Sequence, residues 1–114
     1  NRRILFGQEI AMGPGKLNLL RAILDTGSIS AAARQMGMSY RRAWLLVDTM
    51  NRCFRKPLVV ASPGGKGGGG AALTEFGRLV MDTYENMEGK ATAAVRQEIK
   101  DFSRLLSPAT KQQE

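Results

Sequence analysis

The chain has 114 residues, enough for one small domain with a single core and one appendage. Its 17 lysines and arginines outnumber its 10 acidic residues, and the resulting net charge of +7 favours polyanionic partners. There is no histidine and only one cysteine, Cys53, which excludes an intrachain disulfide and a cysteine-cluster metal site and removes the commonest general base. We therefore expect no catalysis, no metal and no cofactor. Because no apolar run is long enough for a membrane span or a secretory leader, we expect a cytoplasmic protein without membrane contact.

The first predicted elements are an edge strand and a helix. Residues 4–12 mix β-branched, aromatic and aliphatic side chains and end at a Gly-Pro-Gly turn, which is typical of a short strand. From residue 16, apolar side chains recur at helical spacing up to Leu24. This pattern predicts an amphipathic helix that ends at Gly27.

The next two predicted helices are short and closely spaced. Ser28 supplies an N-cap for residues 29–36, which stop at Gly37, and Ser39 caps a longer apolar stripe over residues 40–54. Two helices separated by so short a connection must turn sharply against each other. The arrangement is that of a helix-turn-helix.

The sequence predicts two strands, over residues 58–62 and 71–73, joined by a glycine-rich loop. This arrangement is typical of a flexible hairpin. Apolar positions from Leu73 to Leu106 then follow steps of three and four, which predicts one long amphipathic helix, interrupted at worst near Gly89. We therefore predict a mainly α fold: a winged helix-turn-helix with a short N-terminal strand, three helices and a β-hairpin wing over residues 1–73. A long helix over 74–107 and a polar tail over 108–114 follow it.

The helix that starts after Ser39 is the predicted recognition helix, the helix that contacts DNA bases. Arginine donates two hydrogen bonds to the major-groove edge of a guanine, and small polar groups reach phosphates or bases. Apolar side chains contact the methyl group of a thymine. Trp44 has two interpretations: with Leu45 it is a candidate for the methyl contact, or it is a structural anchor under the wing. Lys66 stands alone in the glycine loop, where its ammonium would reach a phosphate. The predicted contact residues are Ser39, Tyr40, Arg41, Arg42, Trp44 and Lys66, with Ser28 and Arg34 as candidates for phosphate contact.

The long C-terminal helix is the predicted dimer contact. A stripe of that length cannot be buried on so small a domain, so the simplest partner is a second copy of the chain. The predicted dimerisation residues are Phe76, Val80, Tyr84, Met87, Val95, Ile99 and Phe102.

Several motifs together resemble a known family. They are TGSISAAA (26–33), GMSY (37–40), AW (43–44), MN (50–51), PLVV (57–60), GGKGGGG (64–70), LT (73–74) and Gly77. Over residues 16–80 the chain resembles the N-terminal DNA-binding domain of the molybdate-responsive regulators of the ModE type, and more distantly the LysR-type helix-turn-helix.

The resemblance implies a homodimeric transcription regulator whose two winged helices read a palindromic operator in double-stranded DNA. It also implies molybdate-binding modules further along the chain, for which the residues up to Glu114 leave no length. We therefore do not expect molybdate to bind these residues. Two alternatives stay open: a domain that itself senses an oxyanion, and a helix-mediated interaction module without DNA specificity.

Overall fold

A computed structural model describes residues 4–6, 9–63 and 69–108. The described residues form nine elements, in the order β1 (Ile4–Phe6), β2 (Glu9–Met12), α1 (Pro14–Thr26), α2 (Ile29–Met36), α3 (Tyr40–Cys53), β3 (Val59–Ser62), β4 (Gly70–Leu73), α4 (Glu75–Ala94) and α5 (Arg96–Ser103). The predicted mainly helical class, with three helices before a β-hairpin, is confirmed. The chain divides into two compact units, Asn1–Thr83 and Tyr84–Glu114, with the division inside α4.

The core of the first unit is built around α1, α2 and α3. Leu19, Leu20 and Ile23 of α1 are buried, as are Val47 and Met50 of α3. The two alanines of α2, at positions 32 and 33, are also buried, and their small side chains let that helix lie close to its neighbours. Burial of these side chains fixes the rotation of α3 and therefore which of its residues face outwards.

The predicted ends of α1 and α2 and the predicted caps of α2 and α3 are confirmed, whereas α1 begins at Pro14 and not at residue 16. Gly27 and Gly37 close α1 and α2 with φ of 72° and 68°, a left-handed conformation that side chains with a Cβ rarely adopt. The Ser28 hydroxyl accepts a hydrogen bond from Ala31 N at 3.0 Å, and the Ser39 hydroxyl accepts one from Arg42 N at 3.1 Å. Both serines therefore satisfy N–H groups that the first helical turn leaves without a partner.

The N-terminal segment differs from the prediction of one edge strand over residues 4–12. It forms two antiparallel strands, with Ile4 opposite Met12 and Phe6 opposite Glu9. Pairing the two halves satisfies backbone groups that a single strand would leave open, and side-chain pattern alone does not distinguish these arrangements.

The two predicted strands of the wing hairpin are confirmed. β3 pairs with β4 in antiparallel register from Val59 opposite Leu73 to Ser62 opposite Gly70. A further hydrogen bond, from Ala71 N to Gly27 O at 2.9 Å, ties β4 to the turn between α1 and α2. The glycine loop with Lys66 lies outside the described residues.

The predicted long helix is present as two helices, and the predicted place of interruption is wrong. α4 continues through Gly89, because one glycine costs a helix only about 1 kcal/mol. The interruption is at Val95, whose backbone (φ −111°, ψ 14°) leaves the helical region before α5 begins. No pattern in the sequence marks this position. Most of the polar tail, residues 109–114, lies outside the described part of the chain.

Candidate nucleic-acid interface

The N-terminal half of α3 carries an unusual set of exposed side chains. Tyr40, Trp44 and Leu45 are each about half exposed, and the two arginines between them, Arg41 and Arg42, are exposed as well. Large apolar side chains grouped beside arginines at the start of a helix are typical of a surface that meets a partner. The structure thus places the predicted DNA-contacting residues from Ser39 to Trp44 at the capped N-terminal end of one helix.

A groove of about 580 Å³ runs between α3 and the β3–β4 hairpin. From α3 it is lined by Tyr40, Trp44 and Asn51, and from β3 by Val60 and Ala61. None of its described lining residues carries a charge. The described part of the groove is therefore an uncharged surface between the helix and the wing, to which Tyr40, Trp44 and Val60 contribute apolar area.

A second depression, of about 260 Å³, is lined by residues of α3 and its cap, including Arg41, Arg42 and Leu45. None of its described lining residues belongs to the hairpin. At 3.6 residues per turn, its residues lie on a different side of α3 from Tyr40 and Trp44. The predicted DNA-contacting residues of α3 therefore lie on two faces. The aromatic face, with Tyr40 and Trp44, lies beside the wing, and the cationic face, with Arg41 and Arg42, lies away from it.

The cations near α3 differ in what they contact. Arg52 forms a salt bridge with Asp48 at 3.1 Å. Arg55 and Lys56 lie over the ring of Phe76, 5.6 and 5.8 Å from its centroid. Arg41 and Arg42, in contrast, have no ion-pair partner among the described residues and are available to an external anion.

The two candidates for phosphate contact on α2 have different surroundings. Arg34 is exposed in the last turn of the helix. Ser28 is fully buried, and its hydroxyl is shared between Ala31 N and the Ser30 hydroxyl, which is 3.0 Å away. The structure thus gives the Ser28 hydroxyl a capping role and covers the residue from solvent, whereas Arg34 is open to it.

Asn51 holds the wing against α3, a role that the residue pattern did not predict. Its side-chain oxygen accepts hydrogen bonds from Leu58 N at 2.8 Å and Val59 N at 3.2 Å, and its amide donates to Val59 O at 3.0 Å. From the other direction, the Thr74 hydroxyl donates to Pro57 O at 2.7 Å and accepts from Gly77 N at 2.8 Å. The base of the wing is thus fixed to α3 and to the start of α4.

Replacing Asn51 by alanine is expected to lower the free energy of unfolding by about 2 kcal/mol, because two strand N–H groups and a carbonyl lose their partners in a partly buried setting. Urea unfolding measures this change. As a control, Asn86→Ala makes the same substitution at an exposed position of α4 and is expected to change stability by less than about 0.5 kcal/mol. Equal effects of the two substitutions would contradict the role of Asn51.

The rest of the described chain offers neither a metal site nor a membrane span. Residues 4–6, 9–63 and 69–108 contain no group of three or more cysteine, aspartate or glutamate side chains that is able to hold a metal ion. Within the same residues, no helix is both long enough and apolar enough to cross a bilayer.

Comparison with known proteins identifies molybdenum-related relatives. The chain is 45% identical to the molybdenum-pterin-binding protein MopB of Rhodobacter capsulatus over 84% of its own length and 34% of that protein's length. It is 40% identical to the DNA-binding transcriptional dual regulator ModE of Escherichia coli over 68% of its own length and 30% of that protein's. The chain thus spans about a third of the length of the curated relatives that it matches.

Solved structures that superimpose on this chain include LysR regulators. One LysR family transcriptional regulator superimposes with a TM-score of 0.56 at 16% identity, over 75% of this chain and 28% of that one. LysG from Corynebacterium glutamicum gives 0.55 at 21% identity, over 82% of this chain and 29% of its own. A family model described as bacterial regulatory helix-turn-helix protein, lysR family, matches residues 15–78, which include α2, α3 and the wing strands. The predicted resemblance is confirmed, and the chain belongs to the bacterial regulatory helix-turn-helix proteins of the lysR family.

Proposed function

We propose that this chain is the DNA-binding part of a bacterial transcription regulator that reads a specific sequence in double-stranded DNA and catalyses no reaction. One observation carries the proposal: α3 presents Tyr40, Arg41, Arg42 and Trp44 at its exposed N-terminal end, next to a wing hairpin. In helix-turn-helix proteins the N-terminal residues of this helix contact base edges in the major groove. The net charge of +7 suits the phosphate backbone.

We further propose that the regulated process concerns molybdenum. Support comes from the relatives, whose names include molybdenum-pterin-binding and molybdenum transport proteins. Molybdate itself is not proposed as a ligand of this chain. Equilibrium dialysis with molybdate is expected to show no tight binding.

A homodimer is the proposed active form, and the exposures of the described side chains refine which residues join the subunits. Tyr84 is buried and Phe76 lies under two cations, so contact with a partner chain would bury little additional apolar area of either side chain. Val80 is half-buried, whereas Met87, Val95, Ile99 and Phe102 are exposed, the last two by 56% and 64%. On α5, Ile99 and Phe102 lie on one apolar face, opposite polar contacts such as Arg104 with Asp101. We propose that these four exposed residues form the dimer contact.

Selection of bound sites from random double-stranded DNA tests the proposed function. The expected result is a palindrome whose half-sites lie about one helical turn apart or a multiple of it, since two symmetry-related α3 helices must reach the same face of the duplex. Recovery of no enriched sequence would contradict specific DNA binding. Enrichment of a single, non-repeated site would contradict the dimer.

The proposed roles of Arg41 and Arg42 are tested one at a time. If the arginine reads a base, Arg41→Ala or Arg42→Ala is expected to weaken binding to the selected site by about 1–3 kcal/mol, with a much smaller effect on random DNA. Fluorescence anisotropy with labelled duplexes measures both affinities. Arg52→Ala is the matched control, because that guanidinium is already paired with Asp48. An equal weakening on selected and random DNA would assign the arginine to a phosphate.

A further inference from the structure

We propose that the groove between α3 and the wing binds the C5 methyl group of a thymine, and that Trp44 is the residue that makes this position of the half-site specific. The inference rests on the proposed function and adds the base that the aromatic face recognises. Sequence alone left three roles for this part of α3: a methyl contact by Trp44, a methyl contact by Leu45, or a purely structural Trp44. The surroundings of the two side chains distinguish these roles.

The structural role is the first to be set aside. Trp44 is 47% exposed, and the packing of α3 is supplied by Ala43, Val47 and Met50, which are buried. A tryptophan that anchored the wing would be covered by it. Instead, the wing fixes itself to α3 through the hydrogen bonds of Asn51, and Trp44 lines an open groove.

The chemistry of the groove favours an apolar occupant over a phosphate or a guanine. Tyr40 and Trp44 form one wall and the exposed Val60 lies on β3 across from them, while the polar groups of Asn51 are already used by the strand. No described lining residue is charged, so none of these residues balances a phosphate or binds guanine through a guanidinium. Thymine is the base whose major-groove edge carries a methyl group, and apolar contact with it is an established mode of reading.

The position of the groove agrees with this occupant. Tyr40 is the first residue of α3 and Trp44 follows about one turn later, which is the part of a recognition helix that meets base edges. Arg41 and Arg42 line the separate depression, where they can hold phosphates or guanine. Leu45 lines that same depression and does not line the groove. The aromatic face and the cationic face therefore contact different groups on the DNA.

The test replaces thymine by deoxyuridine, one position at a time, in the half-site obtained by selection. This change removes only the methyl group and keeps the base pairing. Burying one methyl-sized group is worth about 0.8 kcal/mol, so wild-type protein is expected to bind roughly fourfold more weakly when one half-site is changed and roughly fifteenfold more weakly when both are. Trp44→Ala is expected to bind the thymine and deoxyuridine sites equally at that position, whereas Trp44→Phe keeps part of the difference.

Leu45→Ala is the matched control. Its side chain is adjacent on α3 and equally exposed, at 46%, yet it lies in the other depression. It is expected to keep the full deoxyuridine penalty at the Trp44 position. As a check that needs no variant, Trp44 is the single tryptophan of the chain, so its emission is expected to change more on the thymine site than on the deoxyuridine site.

The outcomes separate this inference from the proposed function. A half-site without an A·T pair, a penalty that survives in Trp44→Ala, or one that disappears in Leu45→Ala would each overturn the methyl contact while leaving specific DNA binding intact. Failure to select any site overturns both proposals. Urea unfolding of each variant establishes that it is folded before its affinity is compared.

Discussion

Gly77→Ala is expected to lower the free energy of unfolding by about 3 kcal/mol and the melting temperature by roughly 10–20 °C. A Cβ at this position of α4 would collide with the carbonyl oxygen of Leu58 and lie 2.9 Å from its carbonyl carbon. The obstruction is backbone, which cannot rotate away as a side chain does. Leu58 O also accepts the Thr74 N–H at 2.9 Å, so relief of the collision would break the connection between the wing and α4. Thermal and urea unfolding measure the effect.

Gly89→Ala on the same helix is the control for this prediction. No atom of the described residues outside the local helix backbone lies within 4 Å of a Cβ built at Gly89, and the position is exposed. Because alanine has a higher helix propensity than glycine, this variant is expected to gain up to about 1 kcal/mol. Two glycines in one helix should thus respond in opposite directions. A neutral Gly77→Ala would show that α4 does not approach the backbone of Leu58 this closely.

Binding to the selected operator is expected to depend steeply on salt. If each subunit of the proposed dimer neutralises about four or five phosphates, a plot of log affinity against log salt should have a slope of about −7 to −9. Between about 50 and 200 mM salt, the affinity should therefore fall on the order of 10⁴- to 10⁵-fold. Anisotropy titrations at several salt concentrations measure the slope. An affinity that does not change with salt would contradict binding through the DNA phosphates.

The slope also distinguishes which cations contact phosphates. Replacing one phosphate-binding arginine removes two contacts from a dimer and should make the slope less steep by about 2. Arg34 is exposed at the end of α2 and is the first candidate. Lys100→Ala removes one exposed cation from α5 and serves as the control, for which the slope is expected to stay unchanged. Equal changes would mean that the slope reports net charge and not particular contacts.

Local signals in the sequence predicted most of the helix-turn-helix. The caps at Ser28 and Ser39 and the ends at Gly27 and Gly37 involve residues at most a few positions apart, so the residue types suffice to place them. The strands of the wing were predicted by the same kind of signal. The N-terminal hairpin and the interruption at Val95 were missed, because the first depends on strand pairing and the second has no local signal.

Which face of α3 lies beside the wing was decided only by the tertiary structure. Side-chain chemistry and position at the start of α3 grouped Tyr40, Arg41, Arg42 and Trp44 as one predicted DNA-contacting set, but the wing lies along one side of the helix and so places the aromatic and cationic residues in different surroundings. The fully buried Ser28 is a second case, since a capping residue can be exposed or covered depending on what packs over it.

The sequence by itself determined the class of fold, the caps of α2 and α3 and the ends of α1 and α2, since these depend on local conformation, and it also sets the net charge of +7. The tertiary structure decided which cations are already engaged, which residue ties the wing to α3, and which glycine has no room for a side chain. Those properties arise where segments distant in sequence meet, as Asn51 does with Val59 and Gly77 with Leu58. Contacts of this kind depend on the packed positions of both partners, and residue type and spacing do not specify them.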